Sequence, residues 1–344
     1  MPFEIVRNDI TKMQVDAIVN AASRFPRVNA GVDAAIHKKA GPQLLEARKE
    51  IGFIEPGSAA ITPAFSLNAE YVIHAATPVW KDGLHDEEAL LRNAYRSCLQ
   101  LALEHRCDSV AFPLLAAGNH GFPRQKAIQA AIREFSDFLM EHDMLIYLVV
   151  FGEESVRLSE KLVQKVSKYI DDVYVRRYEY EIYGSRGEEN RRSRMPRSED
   201  AMMICPAPSE AAAPKKKMLP AASLRDYLKQ KDKGFTETLL DLITERNLKN
   251  SAVYKKANIS KQHFSKLIND PNAKPTKQTA IALALALELD LEGTKDLIGR
   301  AGYALTDSST FDLIIRYFIE QKQYNVVEIN VTLYDFDQSL LGSA

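Results

Sequence analysis

Glycines in two loops are the residues best suited by type and spacing to bind a phosphate group. Gly118 and Gly121 follow the apolar run Ser109–Phe112, and their lack of a side chain lets backbone amides approach an anion closely. The loop Asn20–Asp33 leads into a helix predicted from Val32, whose first N–H groups and positive dipole end also favour an anion. Because ligands of open α/β sheets lie at the carboxyl ends of strands, the two loops predict a site for a diphosphate-bearing nucleotide.

Two further residues at strand ends could recognise the base of such a nucleotide. Asp9 follows the first apolar run and could accept a hydrogen bond from an exocyclic amine, whereas Phe151 ends the last run and could stack on a purine. Each signal is weak by itself, because two glycines at this spacing often form only a turn and a single phenylalanine usually belongs to a core. Their order and their shared position after strands carry the prediction.

The elements that must position these residues alternate along the first half of the chain. Short β-rich runs indicate strands at Phe3–Val6, Ala17–Val19, Ser58–Ile61, Tyr71–Ala75, Ser109–Phe112 and Leu145–Phe151. Longer patterns indicate helices at Val32–Ala40, Glu87–His105, Gln125–His142 and Ser155–Ile170. This alternation predicts a mostly parallel sheet covered by helices on both faces.

The composition is that of an ordinary globular chain long enough for two domains. Of its 344 residues, 46% are hydrophobic and 26% are charged, and the net charge of -1 predicts no general attraction to nucleic acid or membrane. The three cysteines lack metal-ligand and CxxC spacing, so we expect neither a metal nor any other required cofactor. No signal-peptide pattern and no apolar run of bilayer length are present, which predicts a cytoplasmic protein.

The domain organisation is predicted from a change of pattern near residue 176. Residues 1–175 form the α/β domain, residues 176–220 combine mixed charge with scattered proline and predict a flexible linker, and residues 221–344 form a helical domain. The segment 173–183 alternates weakly and could instead hold a short strand. The helices predicted in the last domain are Phe235–Arg246, Ser251–Asn258, Lys261–Asn269, Lys277–Leu289, Glu292–Arg300, Ser309–Glu320 and Val326–Phe336.

Several motifs of the first domain, taken in order, resemble the macrodomain family. They are RNDIT (7–11), VDAIVNAAS (15–23), GVDAAIHKKAG (31–41), EPGSAAIT (55–62), YVIHAATPVW (71–80), FPLLAAGNHGFP (112–123) and VVFGEE (149–154). The resemblance implies a three-layer α/β/α domain that binds ADP-ribose or a derivative. It also implies ligand-binding roles for Asp9, Ile10, Asn20, Gly31, Val32, Ala117, Gly118, Asn119, His120, Gly121, Phe122 and Phe151.

The loop Asn20–Asp33 departs from the pattern of the family's hydrolases. Ser23 stands where those enzymes have a second asparagine, and residues 28–31 have lost most of a glycine run, which narrows the loop. Asp33, the family's candidate for orienting a water, is kept, so Asp33 and Ser23 are the candidate catalytic residues.

Three interpretations of this domain remain open. The loss of the asparagine favours a sensor that binds the nucleotide without turnover. The retained Asp33 would instead suit a hydrolase of ADP-ribosyl or O-acetyl-ADP-ribose esters. A macrodomain scaffold that binds no nucleotide is the third interpretation, because a fold does not by itself fix a function.

Residues 251–270 have the form of a helix, a tight turn and a second helix. Asn258 would take the left-handed turn conformation and Ser260 would cap the second helix. Residues 249–277 contain seven lysines against one acid, Asp270, and this local charge of +6 suits phosphate contacts. The candidate DNA-binding residues on the exposed face are Ser260, Lys261, Gln262, Ser265 and Lys266.

The run 235–298 resembles the lambda-repressor or Xre-like helix-turn-helix family, which implies an all-α DNA-binding domain with Lys261–Asn269 as its recognition helix. A bundle that contacts a protein partner and a solvated charged face are the alternatives. Residues 303–344 add an apolar face that could form a homodimer. Together the two resemblances predict a bacterial regulator or sensor that couples nucleotide binding to DNA or partner binding. The competing prediction is a hydrolase that its helical domain recruits to targets.

Overall fold

In the computed structural model of the protein, the described residues are 2–118, 120–151, 160–179, 233–270 and 273–342. Contacts within the chain define two compact units, one formed by residues 1–170 together with 235–344 and the other by residues 171–234. Most of the second unit, including the predicted linker from residue 180 onward, lies outside the described residues.

A six-stranded sheet forms the centre of the N-terminal part. Its strands are β1 (Phe3–Arg7), β2 (Ala17–Ala22), β3 (Ala59–Pro63), β4 (Tyr71–Ala76), β5 (Ser109–Pro113) and β6 (Leu145–Val150). Their order is β1-β6-β5-β2-β4-β3, and each neighbouring pair is parallel except β3 with β4. The prediction of a mostly parallel α/β sheet is therefore confirmed. Since β1, β2, β5 and β6 run in one direction, the loops that follow them meet at one edge.

Helices flank this sheet, and a separate hydrophobic core lies on each of its faces. The helices are α1 (Val32–Ala40), α2 (Pro42–Ile51), α3 (Glu87–Glu104), α4 (Arg124–Glu141) and α5 (Glu160–Glu179). Ile18 packs in a core with residues of α1 and α2, whereas Ala17 and Val19 pack in a core with residues of α3 and α4. Because successive strand residues point to opposite faces, this alternation gives the three layers that the sequence predicted.

Two of these helices differ from the sequence prediction. Helix α2 was not predicted, because its buried residues include only Leu44 and Arg48 and so leave little apolar periodicity. Its start has a clear signal in Pro42 at the first helical position, after Gly41 with φ 91°. Helix α5 continues to Glu179, so the strand suggested within 173–183 is wrong through that residue, and the linker predicted from 176 begins in helix.

The C-terminal part is helical, as the sequence predicted. Its helices are α6 (Phe235–Glu245), α7 (Asn250–Lys256), α8 (Lys261–Asn269), α9 (Lys277–Ala286), α10 (Leu291–Arg300), α11 (Thr310–Glu320) and α12 (Val326–Asp335). Ser260 accepts a hydrogen bond from the His263 N–H and thereby caps α8. Asn258 has a φ of 55°, which is the left-handed conformation expected for the turn before that helix.

The turn between α7 and α8 is joined to the edge strand β1. The Phe3 N–H donates to Oδ1 of Asn258 at 2.9 Å, and Nδ2 of Asn258 donates to the Phe3 carbonyl at 2.9 Å. An edge strand leaves backbone groups unpaired, and here a buried side-chain amide takes the place of a neighbouring strand.

Helix α12 also packs on the N-terminal part. Val327 and Val331 belong to the same hydrophobic core as Phe3 and Phe135. The C-terminal apolar face that suggested a homodimer is thus covered within the chain, and the helical region does not stand apart as the predicted division implied. A sequence pattern shows that a face is apolar but does not show what covers it.

None of the helices in the described ranges has both the length and the apolar composition needed to cross a bilayer.

Candidate functional site

A cavity of about 500 Å³ opens where β1, β5 and β6 end. The loops after these strands and the start of α1 form its walls. Among the residues predicted from sequence, its lining contains Asp9, Ile10, Gly31, Val32, Ala117, Gly118 and Phe151. The two loops and the two base-recognition candidates therefore converge on one space.

The lining also contains residues that the sequence analysis missed. These are Asn8, Ala35, Pro113, Leu114, Arg124, Val149 and Val150. Most of them lie inside the motifs that carry the resemblance, but the sequence did not show which residues of those motifs point into the cavity. Arg124 is different, because it begins α4 just after the second loop. A basic residue at the first position of that helix was the available signal.

Asp9 is held in a defined orientation at one end of the cavity. Its Oδ1 accepts hydrogen bonds from the N–H of Thr11 at 3.0 Å and from the Thr11 hydroxyl at 2.8 Å. These contacts cap the short 3-10 helix Ile10–Lys12. Oδ2 accepts no such bond from the described residues, so it can accept one from a ligand.

Phe151 lies at the mouth of the cavity and not in a core. Its side chain is 80% exposed although it directly follows the buried strand β6. The core interpretation of this residue is therefore wrong, and one face of the ring can cover a bound aromatic group.

The start of α1 presents backbone groups to the cavity. Gly31 precedes the helix with φ 79° and ψ -134°, a conformation that favours glycine, and no side chain caps the helix. The first N–H groups of a helix have no partner within the helix. They can therefore donate to an anion in the cavity.

In the second loop, some residues bond to the loop itself and others line the cavity. The Gly121 N–H donates to the Gly118 carbonyl at 3.0 Å, and the Phe122 N–H donates to the Ala116 carbonyl at 3.2 Å. Gly121 and Phe122 do not line the cavity, and their amides are used by these bonds within the loop. Ala117 and Gly118 do line it, and Asn119 lies outside the described residues.

His120 secures this loop from behind. Its Nδ1 lies 2.7 Å from the Thr77 hydroxyl, and its carbonyl accepts a hydrogen bond from the Trp80 N–H at 2.9 Å. Burial lowers the pKa of His120. The sequence predicted that His120 offers its backbone amide to a diphosphate, but His120 does not line the cavity.

Asp33 is buried behind the cavity wall and does not line it. Its Oδ1 accepts a hydrogen bond from Nδ2 of Asn20 at 2.7 Å, and its Oδ2 accepts one from the Asn29 N–H at 2.6 Å. The Nε2 atom of His37 lies 3.4 Å from Oδ1. Both carboxylate oxygens therefore already have protein partners.

Asn20 extends this network into the sheet. Its Nδ2 lies 3.3 Å from Nδ1 of His74, whose Nε2 lies 3.0 Å from the Thr62 hydroxyl. Burial lowers the pKa of His74 to about 3, so its ring is neutral at physiological pH. Asn20 Oδ1 and His37 Nδ1 have no hydrogen-bond partner among the described residues. Asn20 thus supports the first loop from within and does not reach the cavity lining.

Ser23 is also engaged by the protein. Its hydroxyl oxygen accepts hydrogen bonds from the Phe25 N–H at 3.3 Å and from Nε of Arg27 at 3.2 Å. Its side chain is buried, and it does not line the cavity. Neither candidate catalytic residue therefore lines the cavity.

Other reactive groups in the described residues lie outside the cavity. Burial raises the pKa of the Cys107 thiol to about 11, which keeps it protonated. Asp82, His85 and Glu87 could offer metal-ligand atoms within 4.8 Å of one another. The Glu87 carboxylate, however, accepts hydrogen bonds from backbone amides including those of Lys81 and His85. It serves to hold its own loop.

Comparisons with known proteins agree with this geometry. The family model of the Macro domain matches residues 19–131. An O-acetyl-ADP-ribose deacetylase from Salmonella gallinarum is 44% identical over 166 residues, which cover 46% of this chain and 93% of that protein. A macro domain-containing protein from Methanosarcina mazei is 39% identical over 164 residues, which cover 47% of this chain and 88% of that protein. This chain belongs to the macrodomain family, as its motifs indicated.

The chain is also similar to solved structures. The Oceanobacillus iheyensis macrodomain with ADP has 34% sequence identity and a TM-score of 0.42, and the match covers 49% of this chain and 92% of that one. The matched shares of this chain are all below one half.

Proposed function

We propose that the cavity binds ADP-ribose and that the chain hydrolyses an acyl ester of it, such as O-acetyl-ADP-ribose. The observation that carries the binding proposal is the convergence of the α1 N-terminus, Gly118, Asp9 and Phe151 on one cavity. Hydrolysis is supported by the Salmonella gallinarum relative, an O-acetyl-ADP-ribose deacetylase of which this chain covers 93%. The hydrolase interpretation thus takes precedence over the sensor that the sequence alone favoured.

Each part of the ligand has a chemical counterpart in the lining. The free carboxylate oxygen of Asp9 would accept the adenine amine, and the ring of Phe151 would cover the base. The first amides of α1 and the backbone at Gly118 would hold the diphosphate. The reaction adds water to the ester carbonyl, breaks the acyl–oxygen bond and releases acetate and ADP-ribose.

In this proposal Asp33 is a positioning residue. It fixes the first loop through the Asn29 amide and Asn20, and so sets the backbone that meets the distal end of the ligand. A second candidate function, binding without turnover, is favoured by the bonding of Ser23 to Arg27 where the family's hydrolases have asparagine.

One experiment tests both candidates. Calorimetry with ADP-ribose and an assay of acetate release from O-acetyl-ADP-ribose are run on the full chain. Ser23→Asn restores the residue of the family's hydrolases and should raise the rate of acetate release, whereas Ser66→Asn on an exposed loop should not. Binding without release in either form would favour the binder. Absence of heat at millimolar ADP-ribose would refute both proposals.

For the helical region we propose that α8 contacts DNA. Its predicted face is exposed, while Phe264 and Leu267 are buried. The exposed residues are Ser260, Lys261, Gln262, Ser265 and Lys266.

The basic character of this region is smaller than its sequence suggests. Three of its lysines form ion pairs inside the chain: Lys255 with Asp143, Lys256 with Glu288 and Lys277 with Asp312. Lys261 and Lys266 lie on the exposed face of α8. They are therefore the lysines on which the DNA proposal depends.

The double variant Lys261→Glu, Lys266→Glu should abolish salt-dependent DNA binding by the full chain. Lys295→Glu, which changes an exposed lysine on α10, is the single-charge control. DNA binding that survives the double variant would contradict the proposal and direct attention to a protein partner.

A further inference from the structure

Helix α2 carries a buried positive charge behind the first loop. Its residue Arg48 is only 2% exposed. Nη2 of Arg48 donates to the Ser23 carbonyl at 3.0 Å and to the Arg24 carbonyl at 3.2 Å. Nη1 donates to the Gly52 carbonyl at the end of α2. One planar group therefore joins the segment that follows β2 to the end of α2.

The partners of this guanidinium are carbonyl oxygens, and no carboxylate among the described residues contacts it. Burial lowers the pKa of Arg48, and the negative charge of Asp33 nearby opposes that change. A buried charge is costly unless hydrogen bonds and an opposite charge offset the cost. Movement of the Ser23 and Arg24 carbonyls away from α2 would leave a buried cation short of acceptors. The guanidinium therefore opposes such movement of the loop.

Opposite charges thus hold the first loop at both of its ends. Where the loop leaves β2, Arg48 donates to its carbonyls, and the Ile54 N–H adds a hydrogen bond to the Arg24 carbonyl at 2.9 Å. Where the loop enters α1, the Asp33 carboxylate accepts from the Asn29 N–H at 2.6 Å. The loop is therefore attached to both helices that follow it in the chain.

The segment that Arg48 holds lies away from the residues proposed to bind the base. Asp9 follows β1 and Phe151 follows β6, whereas Ser23 follows β2, the fourth strand in the order β1-β6-β5-β2. Neighbouring strands lie about 4.8 Å apart, so the end of β2 is about 14 Å from the end of β1. An ADP-ribose whose base lies between Asp9 and Phe151 therefore extends its distal ribose toward this segment.

We propose that Arg48 is a positioning residue for the hydrolysis of the acyl ester, and this inference rests on the proposed function. Arg48 touches neither the ester nor the attacking water. It fixes the backbone of Ser23 and Arg24, beside which the distal ribose and its ester lie. Arginine suits this task because one guanidinium can donate to several carbonyls in a plane, whereas the ammonium group of lysine donates from a single atom.

The test compares Arg48→Ala with Leu99→Ala in the full chain. Arg48→Ala should lower kcat for acetate release from O-acetyl-ADP-ribose by at least about tenfold. It should weaken ADP-ribose binding by less than about threefold in calorimetry, because the base and the diphosphate bind elsewhere in the cavity. Leu99→Ala removes a buried side chain from the core on the other face of the sheet. It should lower the melting temperature without changing kcat.

Chemical rescue separates a positioning role from a general loss of folding. Guanidinium chloride at about 20 mM, far below denaturing concentrations, should restore kcat of Arg48→Ala at least about fivefold. The added ion can occupy the vacated space and donate to the same carbonyls. Methylammonium at the same concentration should restore less. Arg48→Lys, which keeps the charge on a single donor atom, should have an intermediate kcat and serves if Arg48→Ala does not fold.

Failure of the hydrolysis and failure of the positioning role give different results. If the wild type binds ADP-ribose and releases no acetate, the proposed hydrolysis fails. Faster hydrogen exchange of residues 24–31 in Arg48→Ala, and not in Leu99→Ala, would then still support the hold of Arg48 on the first loop. The inference is overturned if Arg48→Ala keeps the wild-type kcat, if guanidinium restores nothing, or if Leu99→Ala lowers kcat as much.

Discussion

The loops Asn20–Asp33 and Gly118–Gly121 border the same cavity but differ in what their polar groups contact. In the first loop, the side chains that could do chemistry are buried and bonded to the protein: Asp33 to Asn20 and to the Asn29 amide, and Ser23 to Arg27. In the second loop the lining comes from Ala117 and Gly118, which have little or no side chain.

The type of a residue therefore does not by itself show what the residue does at the cavity. A buried carboxylate that accepts hydrogen bonds on both oxygens and does not line the cavity stabilises a loop. A glycine with open space beside it contributes through its backbone. The proposed division is that the first loop is held rigid by side chains and that the second loop binds through backbone.

The largest effect should come from Asp33→Ala, which tests whether side-chain hydrogen bonds hold the loop Asn20–Asp33 in place. Two donors, Nδ2 of Asn20 and the Asn29 N–H, lose their acceptor, and each unsatisfied buried donor costs about 1–3 kcal/mol, so the free energy of unfolding should fall by about 4 kcal/mol. Urea unfolding measures this, with Asp137→Ala on the exposed face of α4 as the control. A loss below about 1 kcal/mol together with abolished turnover would instead make Asp33 a direct participant in the reaction.

Gly118→Val tests whether the loop Gly118–Gly121 binds the ligand through its backbone. A Cβ at this position meets no atom within 4 Å and the backbone is not left-handed, so stability should change by less than about 0.5 kcal/mol. The added side chain would occupy space next to the ligand, and ADP-ribose should bind at least about 100-fold more weakly by calorimetry. Gly299→Val, also in open space, should bind normally. Equal affinity in all three proteins would show that the second loop does not hold the ligand.

A pH dependence should follow from His74, which extends the network of the first loop. Burial lowers its pKa from 6.5 to about 3, so below pH 6.5 the unfolded chain binds a proton that the folded chain does not. Stability should therefore fall as the pH falls, by up to about 1.4 kcal/mol per pH unit, or about 2 kcal/mol between pH 6.5 and 5.

The variant His74→Gln should flatten this dependence in urea unfolding. His120→Gln should flatten the pH dependence less than His74→Gln. Burial also lowers the pKa of His120, but His120 is only half-buried, whereas His74 is fully buried. The assignment to His74 is wrong if the two variants have the same slope.

The smallest effect should come from Phe151→Ala, which tests whether a side chain at the rim of the cavity contributes to binding. Because the side chain is 80% exposed, its loss should change stability by less than about 0.5 kcal/mol. Loss of stacking should weaken ADP-ribose binding by about tenfold. Leu84→Ala, at a side chain that is 85% exposed, is the control. An unchanged affinity for ADP-ribose would remove Phe151 from the site.

The sequence predicted most of the helices and strands because the apolar pattern of each one lies within a short stretch of the chain. All six strands formed near their predicted bounds, and α1 and α8 formed with the predicted ends. Helix α2 was missed because its buried face is short and includes Arg48, a residue that periodicity counts as polar. Asp9, Gly118 and Phe151 could be placed at the cavity because each directly follows a strand or lies in the loop after one.

The sequence by itself determined the fold class, the family and the edge of the sheet where the site lies. Periodicity, glycine positions and motif order are local properties that a chain displays before it folds. Tertiary structure decided which polar groups remain available and which apolar faces remain exposed. Asp33 is bonded to residues 4 and 13 positions away, and Asn258 is bonded to Phe3 at a separation of 255 positions. A hydrogen bond between distant residues forms only when packing brings them together, and so no local pattern reveals it.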